Sequence, residues 1–276
     1  MSIDFKGFKG FKAFKGFTAF KDFTRTALRR LPRPLGAPRP PAMGDGPRLV
    51  RLLRRYEIDL VLDVGAHSGA YGAMLRRCGY EGRIVSFEPL REPRAELRLR
   101  AAEDPFWSVL PYALADRTGP LTLNIAGDAG LSSSALPMLP RHRAAAPHAG
   151  YTGTRSVEAH RLDGLWEGVT APGERVFVRL AVQGYEREVL RGAGAYADEI
   201  VGLQAGAALV PLYEGGAGFD DVLAHARDGL GLSLMSVRPG LADPRDGRLL
   251  QCELVLLRED TPDPAEQVPA QAAHAG

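Results

Sequence analysis

Residues 58–71 read Ile58-Asp-Leu-Val-Leu-Asp-Val-Gly-Ala-His-Ser-Gly-Ala-Tyr71, an apolar run that stops at an acid and then turns through two glycines. The run is too short and too rich in Val, Ile and Leu for a surface helix, and it predicts a fully buried parallel strand. Gly65 and Gly69 then supply a tight turn and a close backbone approach at the start of the following helix. A second short strand, Arg83-Ile-Val-Ser-Phe-Glu88, ends on a carboxylate before Pro89. In a doubly wound sheet Glu88 comes to lie beside the first glycine turn, where it can accept both hydrogen bonds of a ribose diol.

Outward from this pair the chain alternates. Arg48 to Tyr56 predicts a short amphipathic helix, the segment from Tyr71 to Cys78 a second, and residues 91–102 a crossover helix. Trp107 to Leu114 reads as a third strand, with Pro120 to Ala126 as its hairpin partner across Asp116-Arg-Thr-Gly119. Further on, Arg175 to Val182 predicts a strand, followed by a glycine turn and a helix carrying Tyr185, Val189 and Leu190 on one face. Ile200 to Ala208 is another strand, Phe219 to about Arg227 a helix, and Leu232–Val237 with Leu249–Leu257 a terminal antiparallel pair. Strands alternating with helices predict an α/β fold with helices on both faces of a mostly parallel sheet. The stretch 127–153, with Ser132-Ser-Ser134, prolines, His142 and His148, breaks this alternation and is expected to form a lid over the pocket. His142, His148 and His160 do not fall at metal-ligand spacing and are read as solvated loop histidines.

Charge divides the chain. Of 35 Lys and Arg and 33 Asp and Glu, residues 1–55 hold 14 basic residues against three acids, Asp4, Asp22 and Asp45. A basic arm therefore precedes an acidic body. Within the arm Phe recurs at every third position from Phe5 to Phe23, with all five lysines of the chain between. On an α-helix that period drifts about 60° per step and spreads the rings around the whole surface. Two readings follow: a surface anchor giving weak contact with anionic membrane or nucleic acid through residues 5–31, or a repeat expansion without a role. Six prolines in 32–47 predict a stiff linker. Two cysteines without redox or metal spacing, no bilayer-length apolar run and no cleavable leader after Met1 lead to the expectation of a soluble, cytoplasmic protein.

Five blocks resemble the FkbM-type methyltransferases, which use S-adenosylmethionine. They are Asp63-Val-Gly-Ala-His-Ser-Gly69, Ser86-Phe-Glu-Pro89, Leu162-Asp163, Val182-Gln-Gly-Tyr-Glu186 with Val189-Leu-Arg-Gly-Ala193, and Val210-Pro-Leu-Tyr-Glu-Gly215. The resemblance covers about residues 56–258. It implies a class I methyltransferase fold, Rossmann-like, with a seven-stranded, mostly parallel sheet ending in an antiparallel hairpin. Methyl transfer to a hydroxyl of a small-molecule, sugar, glycan or natural-product acceptor is also implied. The organisation expected is an arm over 1–31, a linker over 32–47, a methyltransferase domain over 48–259 with the lid at 127–153, and a disordered tail over 260–276.

The resemblance puts Asp63, Gly65, His67, Gly69, Tyr71 and Glu88 at the donor. Members usually carry Asp where this chain has Ala181, Glu where it has Gly206, and Asn where it has His67. Both missing acids are expected at the mouth of the pocket, as a base or as ligands for the divalent metal possible in the family. His67, Glu186 and Tyr213 are the remaining candidates for a proton acceptor. Three readings stay open: an engineered inactive form, a silent donor-binding relative acting as a partner protein, or an enzyme with a relocated base.

Overall fold

The computed structural model describes residues 44–259. The Phe/Lys arm, most of the proline-rich linker and the tail from residue 260 lie outside the described residues. The chain enters through helix α1 (Asp45–Arg55) and strand β1 (Leu60–Val64), then α2 (Ala70–Arg77), β2 (Arg83–Phe87) and α3 (Arg91–Ala101). Next come β3 (Trp107–Leu110), β4 (Ala113–Leu114), β5 (Gly119–Ala126), α4 (Pro140–Ala145), β6 (Tyr151–His160) and α5 (Trp166–Val169). The last part holds β7 (Val176–Leu180), α6 (Glu186–Arg191), β8 (Ile200–Ala208), α7 (Phe219–Ala224), β9 (Ser233–Pro239) and β10 (Gln251–Leu257). Helix α1 begins three residues before the expected Arg48. It takes Pro47 into its first turn, where a missing N–H costs nothing.

Seven strands form one sheet in the order β3-β2-β1-β7-β8-β10-β9. Strands β3, β2, β1, β7 and β8 run parallel, and β10 runs antiparallel to both its neighbours. This is the seven-stranded, mostly parallel sheet with an antiparallel end that the resemblance implies. All five residues of β1 are buried, as a central strand covered on both faces requires. Leu60, Leu62 and Val64 face one core with Val85, Phe87, Val178 and Leu180; Val61 faces the other with Ile84 and Phe177.

One pairing differs from the sequence reading. Strand β5 is not the hairpin partner of the third strand. It pairs antiparallel with β6, and β6 pairs parallel with β4 on its other edge, making a separate three-stranded sheet. The chain leaves the large sheet between Leu110 and Ala113, so the expected third strand is two strands in two sheets. Strand β6 escaped notice because Tyr151 to Glu158 are exposed or half-buried, leaving no apolar periodicity to read. Among the described residues no helix is long and apolar enough to cross a membrane.

Candidate active site

The carboxyl ends of β1, β2 and β7 surround a cavity of about 80 Å³. Its lining includes Gly65, His67, Glu88, Leu90, Ser134 and Ala181. The turn after β1 makes this geometry possible. Gly65 has φ +74°, and a Cβ there would strike the carbonyl oxygen of Ala181, so β1 and the β7 loop approach as closely as they do only with glycine. Gly69, also at positive φ, starts α2. His67 stands between them at φ +49°, a conformation that a side chain rarely adopts. Its backbone N–H donates to Glu88 Oε2 at 2.7 Å, while Leu90 N–H donates to Oε1 at 2.8 Å. The buried Glu88 carboxylate is thus held by the backbone on both oxygens, each of which keeps acceptor capacity for a ligand. Burial pushes its pKa above the usual range, and these two N–H groups pull it part of the way back.

Residues 129–134 form a further wall. The His67 ring Nε2 lies 2.9 Å from Ala129 O, and because a carbonyl only accepts, Nε2 must carry the proton. Only Nδ1 of the neutral ring is left to accept one. Ser134 Oγ donates to Gln183 O at 2.7 Å, and Gln183 Nε2 donates to Leu131 O at 3.1 Å. Gln183 has φ +54°. Of the four non-glycine residues at positive φ among the described residues, His67 and Gln183 therefore flank this wall and Ala129 lies in it, a concentration of backbone strain typical of functional sites. Gln183 and Ser134 were not singled out as site residues from the sequence, although both lie in stretches noticed there.

Not every expected donor-site residue comes to this cavity. Asp63 and Tyr71 belong to a polar row on the other side of the sheet, in which Asp63 and Gln204 are buried and Tyr71, Arg179 and Glu253 half-buried. Asp63 pairs with Arg179 at 2.9 Å, and the Arg179 guanidinium lies 4.8 Å from the centre of the Tyr71 ring. Tyr71 Oη donates to Gln204 Oε1 at 2.7 Å, and Gln204 Nε2 to Glu253 Oε1 at 2.7 Å. Register explains the row, since Asp63 is opposite Arg179 and Arg179 opposite Gln204, with side chains on one face. Asp63 is fully buried, with Arg179 and Ser86 as its side-chain partners.

A second cavity, of about 350 Å³, opens on the far side of the loop from Ala181 to Glu186. Gly184, Glu186, Gly206, Tyr213, Asp221 and Gln251 are among its lining residues. Ala181 and Gly206 follow directly on the paired Leu180 and Ala205, so they are lateral neighbours, yet Ala181 lines the first cavity and Gly206 the second. The expectation that both positions share one mouth is corrected: the loop between them divides the space. Glu186 is 2% exposed and starts α6. Burial raises its pKa to about 7, against N–H groups of its own turn that pull it down. Tyr213 is buried, and burial pushes its phenol well above the ordinary value. Its Oη lies 3.1 Å from Gln183 Oε1 and 3.3 Å from Ser132 O, both acceptors, so it is a donor that positions Gln183 and the wall.

The histidines differ from expectation as well. His142 is buried with its ring edge-on to Tyr213 at 5.0 Å, and His160 is buried against Tyr112 with Glu158 at 2.9 Å. Of these three, His148 alone is exposed. Apolar neighbours drew the other two inward. Among the described residues no group of three or more His, Cys, Asp or Glu gathers as metal ligands would.

Strand order and a glycine turn facing a buried carboxylate together define a class I methyltransferase architecture. A family profile described as the methyltransferase FkbM domain matches residues 63–223, and the chain belongs to that family of S-adenosylmethionine-dependent methyltransferases. No curated protein matches the chain in sequence. Similar solved structures include TehB from Haemophilus influenzae, at 10% identity and TM-score 0.41, covering 76% of this chain and 61% of that one. Fibrillarin from Aeropyrum pernix, with natively bound S-adenosyl-L-methionine, aligns at 12% identity and TM-score 0.39 over 72% of this chain and 66% of its own. An rRNA methylase from Streptococcus thermophilus aligns at 11% identity and TM-score 0.40 over 76% of this chain and 94% of its own. The chain thus spans less than two thirds of the length of the first two.

Proposed function

We propose that this chain is an S-adenosylmethionine-dependent O-methyltransferase acting on a hydroxyl of a sugar, glycan or natural product, with Glu186 as the relocated base. The observation that carries the reading is Glu186 itself, a buried carboxylate facing a ligand-sized cavity with no cation paired to it among the described residues. The first cavity suits the donor. Gly65 leaves the backbone open there, and Glu88, fixed by two N–H groups, offers oxygens to a ribose. When bound, the donor supplies an electrophilic methyl group on a sulfonium. Transfer would join the acceptor oxygen to the methyl carbon and release the donor as a neutral thioether; the loop from Ala181 to Glu186 would have to give way for the two to meet, and Glu186 would take the hydroxyl proton. A carboxyl with pKa about 7 suits this task, because it is part ionised at neutral pH and still basic enough to hold the proton.

The silent-relative reading is favoured by one observation, the small residues at Ala181 and Gly206. Supplying the chain with S-adenosylmethionine and panels of hydroxylated acceptors, and measuring S-adenosylhomocysteine, separates the two. Acceptor-dependent product supports the enzyme. Donor binding by calorimetry with no product, followed by turnover only in Ala181→Asp with Gly206→Glu, supports the silent relative. The restored acid at 206 has a foreseeable cost: a Cβ there lies 3.8 Å from Glu186 Oε1. The added carboxylate would press the Glu186 pKa higher still.

A further inference from the structure

The second cavity carries a charge pattern that methyl transfer alone does not require. At about 350 Å³ it falls within the range of small-ligand pockets, about 300–1,000 Å³. Its charged lining among the described residues is wholly acidic: Glu186, Asp220 and Asp221, with no Lys, Arg or His. Glu186 is buried, while the two aspartates are exposed at the rim. Asp221 has a structural duty, since its Oδ2 accepts the Gly218 N–H at 2.9 Å and caps α7. Asp220 has no hydrogen-bond or ion-pair partner among the described residues. Beside these acids stands an apolar wall that includes Leu209, a large hydrophobic residue left 42% exposed.

We propose that this cavity is the acceptor site, and that it takes a small hydroxylated amine, such as an amino sugar or amino alcohol in its cationic form, and turns away acceptors bearing phosphate or carboxylate. The proposal rests on the methyltransferase reading for the word acceptor, but the ligand class follows from the cavity. An ammonium about 4 Å from a water-facing carboxylate gains roughly fivefold in affinity, and an anion loses as much. With two rim carboxylates, cation and anion of equal size differ by well over tenfold. The apolar wall gives the uncharged face of the ring a surface to leave water on, and the buried carboxylate waits for the hydroxyl that is to be methylated.

The test uses the full chain and binding rather than turnover. Glucosamine, glucose and glucuronate serve as probes in ligand-observed NMR, with S-adenosylhomocysteine present, for the wild type, Asp220→Asn and Asp220→Lys. Glucosamine should bind at least tenfold tighter than glucuronate, with glucose between them. Asp220→Asn should lose about fivefold of the glucosamine affinity, Asp220→Lys should level or reverse the order, and added salt should shrink the preference. Glucuronate binding as tightly as glucosamine, a preference that survives Asp220→Lys, or no glucosamine binding at all would each overturn the proposal. Calorimetry with S-adenosylmethionine keeps the two failures apart: lack of donor binding strikes the methyltransferase reading, whatever glucosamine does.

Discussion

The first cavity holds about 80 Å³ and is walled by backbone turns, apolar side chains and one carboxylate pinned by N–H groups, whereas the second holds about 350 Å³ and presents three acids. The residues from Ala181 to Glu186 form the partition between them. The contrast separates two ways of making a binding site. In the first, specificity comes from where the chain can go: positive φ at Gly65, His67 and Gln183, and a wall tied down by Ser134 and Gln183. In the second it comes from which side chains are charged. On the proposed reading the first cavity takes the nucleoside donor and would have to widen for it, with the wall of residues 129–134 the side to test, while the second cavity is already of ligand size.

The sharpest way to break the comparison is to change the backbone of the first cavity. Gly65→Val places a β-branched side chain at φ +74° and against the Ala181 carbonyl. The left-handed conformation alone costs about 1–2 kcal/mol, and the collision adds to it. We expect a fall of several kcal/mol in stability and no detectable heat with S-adenosylmethionine, with Gly65→Ala acting in the same direction but less. A folded Gly65→Ala protein that binds the donor normally would show that this turn is not the donor's floor.

Side-chain chemistry in the second cavity should give a smaller effect with a different signature. Glu186→Gln keeps the shape and an acceptor oxygen but removes the base. Turnover should fall by about 10²–10⁴, with donor affinity unchanged. Stability supplies a second readout. The folded pKa of Glu186, about 7, lies above its ordinary 4.5, so the unfolded chain gives up this proton first as pH rises. The wild type therefore loses stability between about pH 4.5 and 7, in total on the order of 3 kcal/mol. Glu186→Gln lacks that loss. It should match the wild type near pH 4.5 and exceed it at pH 8, and parallel stability curves across that range would mean the carboxylate is not buried as described.

How far the sequence revealed these regions follows the same division. Residues 58–64 and 83–88 announced buried strands because Val, Ile, Leu and Phe dominate both short runs, and the glycines announced the turn between sheet and helix. Those signals are local. Strand β6 was hidden because most of its side chains face water, and the pairing of β5 with it joins residues 25 to 40 positions apart. The resemblance placed Asp63 at the donor, yet strand alternation sends its side chain to Arg179, a partner 116 residues away. Ala181 and Gly206 were read as one mouth because their strands are neighbours. Only the path of the loop between them shows two cavities.

The smallest expected effect tests whether the wall is a moving part. Ser134 is buried, donates from Oγ to Gln183 O at 2.7 Å and accepts from Leu136 N at 3.0 Å. Ser134→Ala strands both backbone partners, at a cost of about 1–2 kcal/mol. Its backbone bonds to Asn124, from N at 3.1 Å and to O at 2.8 Å, remain, so the loss falls on the segment rather than the sheet. If the wall must open for the donor, weakening its fastening should speed both entry and release of S-adenosylmethionine, by up to about tenfold in stopped flow, while the equilibrium affinity changes less. A protein that melts lower but exchanges the donor at the wild-type rate would assign Ser134 to packing alone and leave the first cavity to open by another route.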